Sequence, residues 1–288
     1  MENFEYKGYS IMSNFLLKIY RIIDKFGNIF LKFSEKLRFE QYKMIFGERD
    51  EDIYIATYPK SGTTMMQMIL YHLTSDGKMD FNHIYDLSPW IRNASFKKQA
   101  PIKLPSPRII KTHDYHNEFP KGTKGRFIYV YRNGMDVAVS LYHQQKNYIN
   151  SNLEFDKFLV NYFKKKAWFN HTKGWFKNNK NFPILYIKYE DLLQDKQKEI
   201  IKIIDFCKLT SSPEAIDRAI KYSSFEYMKI HEKKFGDQPQ EHKKVYDQFI
   251  RKGKTGEGEE YFKQEQKDMF EKYYNKMVKS LENKIFGI

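Results

Sequence analysis

The stretch that most constrains the fold of this chain is Tyr58-Pro59-Lys60-Ser61-Gly62-Thr63-Thr64. The apolar run Ile53–Thr57 before it is short and β-prone, and Met65–Leu73 after it has a helical pattern. The proline forces the preceding tyrosine out of helical geometry, and Gly62 lets backbone N–H groups turn inward. Amides at a helix N-terminus, hydroxyls and a lysine suit an oxyanion. The pattern alone fits a plain turn between strand and helix equally well.

The loop differs from the ordinary nucleoside-triphosphate loop. That pattern would place glycine at position 57 and lysine at position 63, whereas this chain has Thr57 and Thr63 and carries its lysine at Lys60. A standard nucleoside-triphosphate loop is therefore not predicted.

Composition indicates one large globular domain. With 288 residues, of which 41% are hydrophobic and 17% aromatic, the chain can bury a sizeable core, and no repeat or low-complexity linker divides it. The formal charge of +14 points toward anionic partners such as nucleotides, nucleic acid or membrane lipid, although a solvated lysine-rich surface also explains it.

The single cysteine and the lack of long apolar runs favour a cytoplasmic location. Cys207 lies in the helical pattern Lys198–Leu209, so neither a disulfide framework nor a thiolate metal site is expected. No apolar run reaches the roughly 18 residues of a membrane span. Glu2 and Glu5 differ from the basic start of a signal peptide.

Residues 11–46 form a basic amphipathic segment. Its apolar residues recur near helical spacing and are Phe15, Ile19, Ile22, Ile23, Phe26, Ile29, Phe30, Phe33 and Leu37. We expect residues 1–48 to pack as a helical segment on a domain formed by residues 49–288. Contact of residues 11–46 with a membrane surface or a partner is the alternative.

Four short apolar runs predict the strands of a parallel sheet. They are Ile53–Thr57, Arg108–Thr112, Arg126–Tyr131 and Ile184–Lys188, and each is followed by helix-like sequence. This alternation predicts an α/β fold whose ligands bind beyond the carboxyl ends of the strands. The long irregular stretch Ser75–Pro107 is expected to form a wall of the substrate pocket.

Cationic residues follow the predicted strands. Lys111 and His113 are two residues apart, so they project to the same side if the strand geometry continues. A histidine can accept a proton from a hydroxyl, although a lone loop histidine is more often structural, and His116 is a weaker candidate. The third strand ends in Arg132, where a magnesium-using phosphotransferase would present aspartate. A second anionic group, held without metal, is expected there, and an arginine that only pairs with surface carboxylates is the alternative.

Five stretches together resemble the cytosolic sulfotransferase family in order and spacing between about residues 49 and 256. They are the loop at 58–64, Lys111-Thr112-His113, Tyr131-Arg132-Asn133 with the following Asp136–Ser140, Tyr189-Glu190-Asp191, and Arg251-Lys252-Gly253. The resemblance implies a P-loop-like α/β fold with a central parallel sheet flanked by helices. It also implies metal-free transfer of a sulfuryl group from 3′-phosphoadenosine 5′-phosphosulfate (PAPS) to a hydroxyl or amine of a small molecule, leaving adenosine 3′,5′-bisphosphate (PAP), with no nucleic-acid partner.

The resemblance assigns roles to individual positions. Those matching the family's 5′-phosphate loop are Lys60, Ser61, Gly62, Thr63 and Thr64, and those matching its 3′-phosphate contacts are Arg132, Ser140, Arg251, Lys252 and Gly253. Those near the adenine are Met65, Tyr189, Ser223 and Phe225. His113 matches the catalytic base, while Lys60 and Lys111 match lysines that stabilise charge on the bridging oxygen and the sulfuryl group.

The chain also departs from the family pattern. Met65 stands where the family usually has tryptophan against the adenine. Glu257-Gly258-Glu259-Glu260 replaces the usual continuation of the glycine loop and adds negative charge beside a phosphate site. The family's dimerisation motif is not recognisable in Glu259–Asp268, so the oligomeric state is open.

Two other function classes are compatible with the sequence. A metal-dependent kinase would need magnesium and an acidic ligand, for which Asp114 is the candidate near a strand end. A non-catalytic protein that binds nucleic acid or a membrane surface would use the net positive charge and would bind in a salt-sensitive way.

The acceptor is expected to be compact and largely apolar, with one reactive hydroxyl that is phenolic. The aromatic residues placed to face His113 are Phe81, Tyr85, Trp90, Tyr142, Tyr148, Tyr246 and Phe249. Flat apolar walls bind aromatic rings, and the lower pKa of a phenol eases proton removal by an imidazole. Core packing explains some of these residues equally well, and an anionic glycan is the alternative acceptor.

Overall fold

The computed structural model describes residue 18 and residues 26–236 and 249–287. These residues fall into two compact units. The first takes in the chain up to Gly47 together with Ile91–Ile102, and the second takes in Glu48–Trp90 and the chain from Lys103 onward.

The first unit contains a helix over residues 26–46 (α1) and the short helix α3 (Ile91–Phe96). The Arg92 guanidinium lies 4.3 Å from the ring centroid of Phe39, and Arg38 donates a hydrogen bond to the Phe96 carbonyl at 3.3 Å. Phe39, Tyr42 and Phe46 of α1 are buried, whereas many of its other apolar side chains are exposed, among them Phe26, Ile29, Phe30, Phe33 and Leu37. Phe15, Ile19, Ile22 and Ile23 lie outside the described residues, and the packing of residues 1–48 on the domain stays a prediction.

The second unit is built on a four-stranded parallel sheet. Its strands are β1 (Ile53–Thr57), β2 (Ile109–Thr112), β3 (Arg126–Tyr131) and β4 (Ile184–Lys188). The strand order is β2-β1-β3-β4, and every neighbouring pair is parallel. All four carboxyl ends therefore meet at one edge of the sheet. The predicted α/β class with a central parallel sheet is confirmed.

Helices follow the strands. They are α2 (Thr63–Thr74), α4 (Gly134–Tyr148), α5 (Phe155–Lys165), α6 (Ala167–Lys177), α7 (Tyr189–Gln194), α8 (Lys196–Cys207), α9 (Pro213–Tyr222), α10 (Phe225–Ile230), α11 (Glu257–Tyr261), α12 (Gln264–Met277) and α13 (Lys279–Phe286). Short 3-10 turns occur at Ile84–Asp86, His116–Glu118 and Glu232–Lys234. In the part of the chain that the structure describes, no helix is both long and apolar enough to cross a membrane.

Successive side chains of a strand point to opposite faces of the sheet. In β1, β2 and β3 nearly all of them are buried on both faces, whereas β4 is mostly half-buried. In β3, Ile128 and Val130 belong to the aliphatic core that side chains of α2 and α8 complete. Phe127 and Tyr129 point to the opposite face, where their ring centroids lie 5.3 and 5.5 Å from that of Trp175 in α6. Helices therefore cover both faces of the sheet, and in such folds ligands bind beyond the carboxyl ends of the strands.

The amino ends of the strands are joined by a buried ion pair. Arg108, expected within the second strand, precedes it and donates to both carboxylate oxygens of Asp52 at 2.7 and 2.6 Å. The two side chains are 3% and 0% exposed. Bidentate pairing satisfies both charges where water cannot reach them. The strand begins at Ile109, and the Arg108 carbonyl just before it accepts a hydrogen bond from the Ile53 N–H group at 2.9 Å.

Candidate active site

Gly62 allows the loop after β1 to approach the rest of the site closely. It precedes α2 with φ 91°, and a Cβ atom there would lie 2.5 Å from Cδ2 of Tyr189. Glycine alone accepts both the left-handed backbone and the close ring without cost. Lys60 also has a positive φ of 72°, which is uncommon for a residue with a side chain.

Thr57 connects this loop to the end of β2. Its Oγ1 lies 2.7 Å from Thr63 Oγ1, and its carbonyl oxygen lies 2.9 Å from His113 Nδ1. Because a carbonyl oxygen can only accept a hydrogen bond, Nδ1 carries the imidazole proton and Nε2 keeps the lone pair. Burial, with the Lys111 ammonium nearby, lowers the pKa of His113 well below its ordinary value of 6.5. His113 is therefore a neutral imidazole at neutral pH, and Nε2 is its basic nitrogen.

Lys111 lies between two aromatic side chains from the segment before β2. Its Nζ donates a hydrogen bond to the Tyr85 hydroxyl at 2.7 Å, and it lies 4.7 and 4.6 Å from the ring centroids of Tyr85 and Trp90. The edge of Trp90 also meets the His113 ring, with centroids 5.1 Å apart. The Lys111 ammonium is attracted to the faces of the Tyr85 and Trp90 rings. Because Trp90 contacts both Lys111 and the His113 ring, it holds the ammonium and the imidazole near each other.

Three cationic side chains converge near the loop. Burial lowers the pKa of Lys60 to about 8, and the charges of Arg132 and Arg251 act in the same direction. The Lys60 ammonium lies 5.0 Å from the ring centroid of Phe249. An anion entering here would favour the protonated lysine, so this corner of the site fits an anionic ligand.

Arg132 is fixed from several sides. It donates to the carbonyl oxygens of Lys60 and Lys254 at 3.1 and 2.8 Å, and its guanidinium lies 4.6 Å from the ring centroid of Tyr189. Its Nε and the hydroxyl of Ser61 are buried without a hydrogen-bond partner among the described residues. Buried polar groups are normally paired, so these two donors beside a phosphate-type loop are suited to bind an oxyanion.

A carboxylate lies among the cations of the later glycine loop. Arg251 donates to Glu257 through both terminal nitrogens, with Nη1 2.9 Å from Oε1. Lys252 Nζ lies 2.8 Å from the same Oε1. Gly253, which lies between Lys252 and Lys254, has φ 61°, and a Cβ there would clash with Cδ2 of Phe225.

Most of these groups surround one cavity of about 450 Å³. The predicted site residues on its wall are Lys60, Gly62, Thr63, Thr64, Met65, Lys111, His113, Arg132, Ser140, Tyr189, Phe225, Arg251, Lys252 and Gly253. Ser61 and Ser223 are buried and do not line it. His116 is also buried apart from it, with Nε2 3.1 Å from Asn178 Oδ1.

The aromatic residues expected to face His113 divide into two groups. Tyr85, Trp90, Tyr148 and Phe249 line the cavity. Phe81 and Tyr142 are instead buried in the core, where Phe81 packs edge-on against Tyr71 and Tyr142 packs against Phe155. Tyr246 lies outside the described residues.

Sequence reasoning missed part of the wall. His143, Gln144 and Asn147 on α4 line the cavity, and they stand three, four and seven positions after Ser140. This spacing places them on the same helix face as the serine and could have identified them. In the sequence Thr57 stands out only because it replaces the glycine of a nucleoside-triphosphate loop, and its contact with His113 joins residues 56 positions apart.

No group of three or more His, Cys, Asp or Glu side chains in the described part of the chain is arranged to hold a metal ion. Asp114, the candidate ligand of the kinase hypothesis, is buried and is not on the cavity wall.

Three comparisons relate this chain to known proteins. A family model described as a sulfotransferase domain matches residues 50–282. Sulfotransferase 1B1 from Mus musculus is 36% identical over 250 residues, which cover 79% of this chain and 82% of that protein.

Solved structures also match. Retinol dehydratase, crystallised with androsterone and the inactive cofactor PAP, superposes with a TM-score of 0.68 at 22% identity, covering 81% of this chain and 82% of that one. Mouse sulfotransferase SULT7A1 complexed with PAP gives a TM-score of 0.63 at 24% identity, with coverages of 84% and 89%. At these identities the superpositions show the fold alone.

Proposed function

The chain belongs to the sulfotransferase family, and on that premise we propose that it moves the sulfuryl group of PAPS onto the hydroxyl of a small phenolic acceptor, with His113 as general base. The observation that carries the proposal is the cavity in which the neutral His113 imidazole meets Lys60, Lys111 and two arginines. A base and a group of cations on one wall are what transfer from an anionic donor to a hydroxyl requires.

The anion-binding corner supports PAPS as donor. The loop that contains Gly62 would hold the 5′-phosphate, since its backbone turns under Tyr189 and its Ser61 hydroxyl is buried without a described partner. Arg132 would hold the 3′-phosphate together with the loop at Arg251. Two structures of this fold contain PAP, which is what PAPS becomes when its sulfuryl group leaves.

The proposed transfer forms one bond to sulfur and breaks another. Nε2 of His113 takes the proton of the acceptor hydroxyl as its oxygen bonds to sulfur. The bond from sulfur to the bridging phosphate oxygen breaks, and its electron pair stays on that oxygen. Lys60 would stabilise the negative charge that develops on this bridging oxygen, and Lys111 would stabilise the charge on the sulfuryl oxygens.

Donor binding gives the first test. PAP at about a hundredfold above its dissociation constant should stabilise the folded protein by about 2.7 kcal/mol without magnesium. PAPS with a panel of phenols, alcohols and amines should then yield products that are heavier by one sulfuryl group. A melting temperature that is unmoved by saturating PAP but raised by Mg-ATP would favour the kinase hypothesis instead.

The acceptor class has its own test. Tyr85, Trp90, Tyr148 and Phe249 present aromatic surface around the base, so kcat/KM should be higher for simple phenols than for saccharides by about 10-fold or more, the effect of one to two well-buried apolar groups. Comparing kcat/KM for phenols, alkyl alcohols and glycan fragments at saturating PAPS measures this. Gln144 and Asn147 also line the cavity, and a preference for saccharides would contradict the phenolic assignment while leaving the donor assignment intact.

A further inference from the structure

Glu257 has two cationic partners in the wall of the proposed donor site. Its carboxylate receives the terminal nitrogens of Arg251 and the ammonium of Lys252. The Arg251 and Glu257 side chains are 17% and 7% exposed, and all three residues line the cavity. The pair is therefore part of the site and not a surface contact.

The backbone around Glu257 is anchored independently of this pair. The N–H groups of Gly256 and Gly258 donate to the two carboxylate oxygens of Asp136 at 2.9 and 2.8 Å. A Cβ atom at position 258 would lie 2.4 Å from Cβ of Met135, so the segment is packed tightly on α4. The Glu257 side chain can consequently turn away from Arg251 by rotation of its own bonds while its backbone stays in place.

Glu257 remains charged at every pH of interest. Burial opposes its ionisation, but hydrogen bonds from Arg251 and Lys252 outweigh burial and lower its pKa to about 2. A carboxylate that accepts hydrogen bonds from both terminal nitrogens of an arginine occupies the same donors that a phosphate would use for bidentate binding. A phosphate and the Glu257 carboxylate therefore cannot both have the full set of Arg251 hydrogen bonds, and two anions at that distance repel each other.

We propose that Glu257 is a built-in competitor for the anion site of Arg251 and Lys252, which the 3′-phosphate of the donor must displace. This rests on the proposed function. In the absence of nucleotide, the carboxylate pairs with the largely buried Arg251 and with the more exposed Lys252, whose side chains are 17% and 48% exposed. During turnover it lowers the affinity for nucleotides that carry a 3′-phosphate, so it favours release of the product PAP.

The test compares two nucleotides on matched variants. Glu257→Gln keeps the shape of the side chain and removes its charge, so PAP should bind about tenfold more tightly, the loss of one charged hydrogen-bonded competitor. Adenosine 5′-phosphate, which lacks the 3′-phosphate, should bind as it does to the wild type. Glu259→Gln removes an equal charge from an exposed neighbour paired with Lys267 and should leave both affinities unchanged. Calorimetry at one fixed salt concentration measures all of them.

Several results would overturn the role proposed for Glu257. Weaker or unchanged PAP binding by Glu257→Gln would overturn the proposal, and weaker binding would show that Glu257 positions Arg251. An equal gain for both nucleotides would indicate a general field effect and would also overturn it. Glu257→Ala carries the same expectation if the glutamine variant folds poorly. Failure of the wild type to bind PAP at all would refute the donor assignment itself, which separates the two hypotheses.

Discussion

Replacing His113 with alanine is expected to lower kcat by about 10²- to 10⁴-fold, the range for loss of a general base, while PAP affinity changes little. The Thr57 carbonyl holds the proton on Nδ1, so the lone pair on Nε2 is available to the acceptor. Because burial and Lys111 lower the pKa of His113, the donor-free enzyme should keep it neutral as pH falls through 6.5. Steady-state kinetics and PAP calorimetry on the same preparation measure both quantities.

Two variants separate base catalysis from packing. His113→Asn retains a side-chain donor for the Thr57 carbonyl but has no basic nitrogen, so it should be about as inactive as the alanine variant. His143→Ala removes another cavity histidine, whose pKa is lowered to about 4 by burial and then by Arg251, and it should retain most of the activity. Near wild-type kcat in His113→Asn would remove His113 from the mechanism.

The strands and the loop could be predicted because their signals are local. The limits of β3 and β4 match the apolar runs Arg126–Tyr131 and Ile184–Lys188, and α2 begins directly after Gly62. A glycine between a β-prone run and a helical pattern specifies the backbone without reference to distant residues. The strand ends then bring cationic residues together, since a parallel sheet gathers its carboxyl ends at one edge.

The contacts that tune the site could not be read from the sequence. Phe81 and Tyr142 are as aromatic as Tyr85, yet they pack in the core because tertiary contacts decide which face of a segment is covered. No local pattern encodes the hydrogen bond between Thr57 and His113 or the ion pair between Arg251 and Glu257, because each depends on how side chains are placed in the folded chain. The cationic residues of the site could therefore be located from the sequence, whereas their hydrogen-bond partners became clear only from the structure.

The charge of Lys60 is less secure than that of Glu257. The pKa of Glu257 is lowered to about 2, which keeps its carboxylate charged, whereas the lowered pKa of Lys60 brings loss of its charge close to neutral pH. Its ammonium is destabilised by burial and by two arginines, so its pKa is lowered to about 8. Below that pH it is protonated and attracts an anion, and above it the charge is lost. Since PAP binds the protonated form better, bound PAP raises the pKa of Lys60. PAP affinity should consequently fall as pH rises through 8, by up to about tenfold for each further pH unit.

Replacing Lys60 with methionine is expected to lower kcat by about 10²- to 10³-fold, which is the typical effect of losing one group that stabilises charge in the transition state. The bridging oxygen gains its negative charge as the bond to sulfur breaks, so the loss should affect kcat more than PAP affinity. The fall in PAP affinity above pH 8 should also disappear, because the group that titrates is gone. Lys254→Met is the matched control, since Lys254 is an exposed cavity residue that uses its carbonyl to hold Arg132. It should keep both the turnover and the pH dependence, and equal losses in the two variants would show that only the net positive field of the cavity matters.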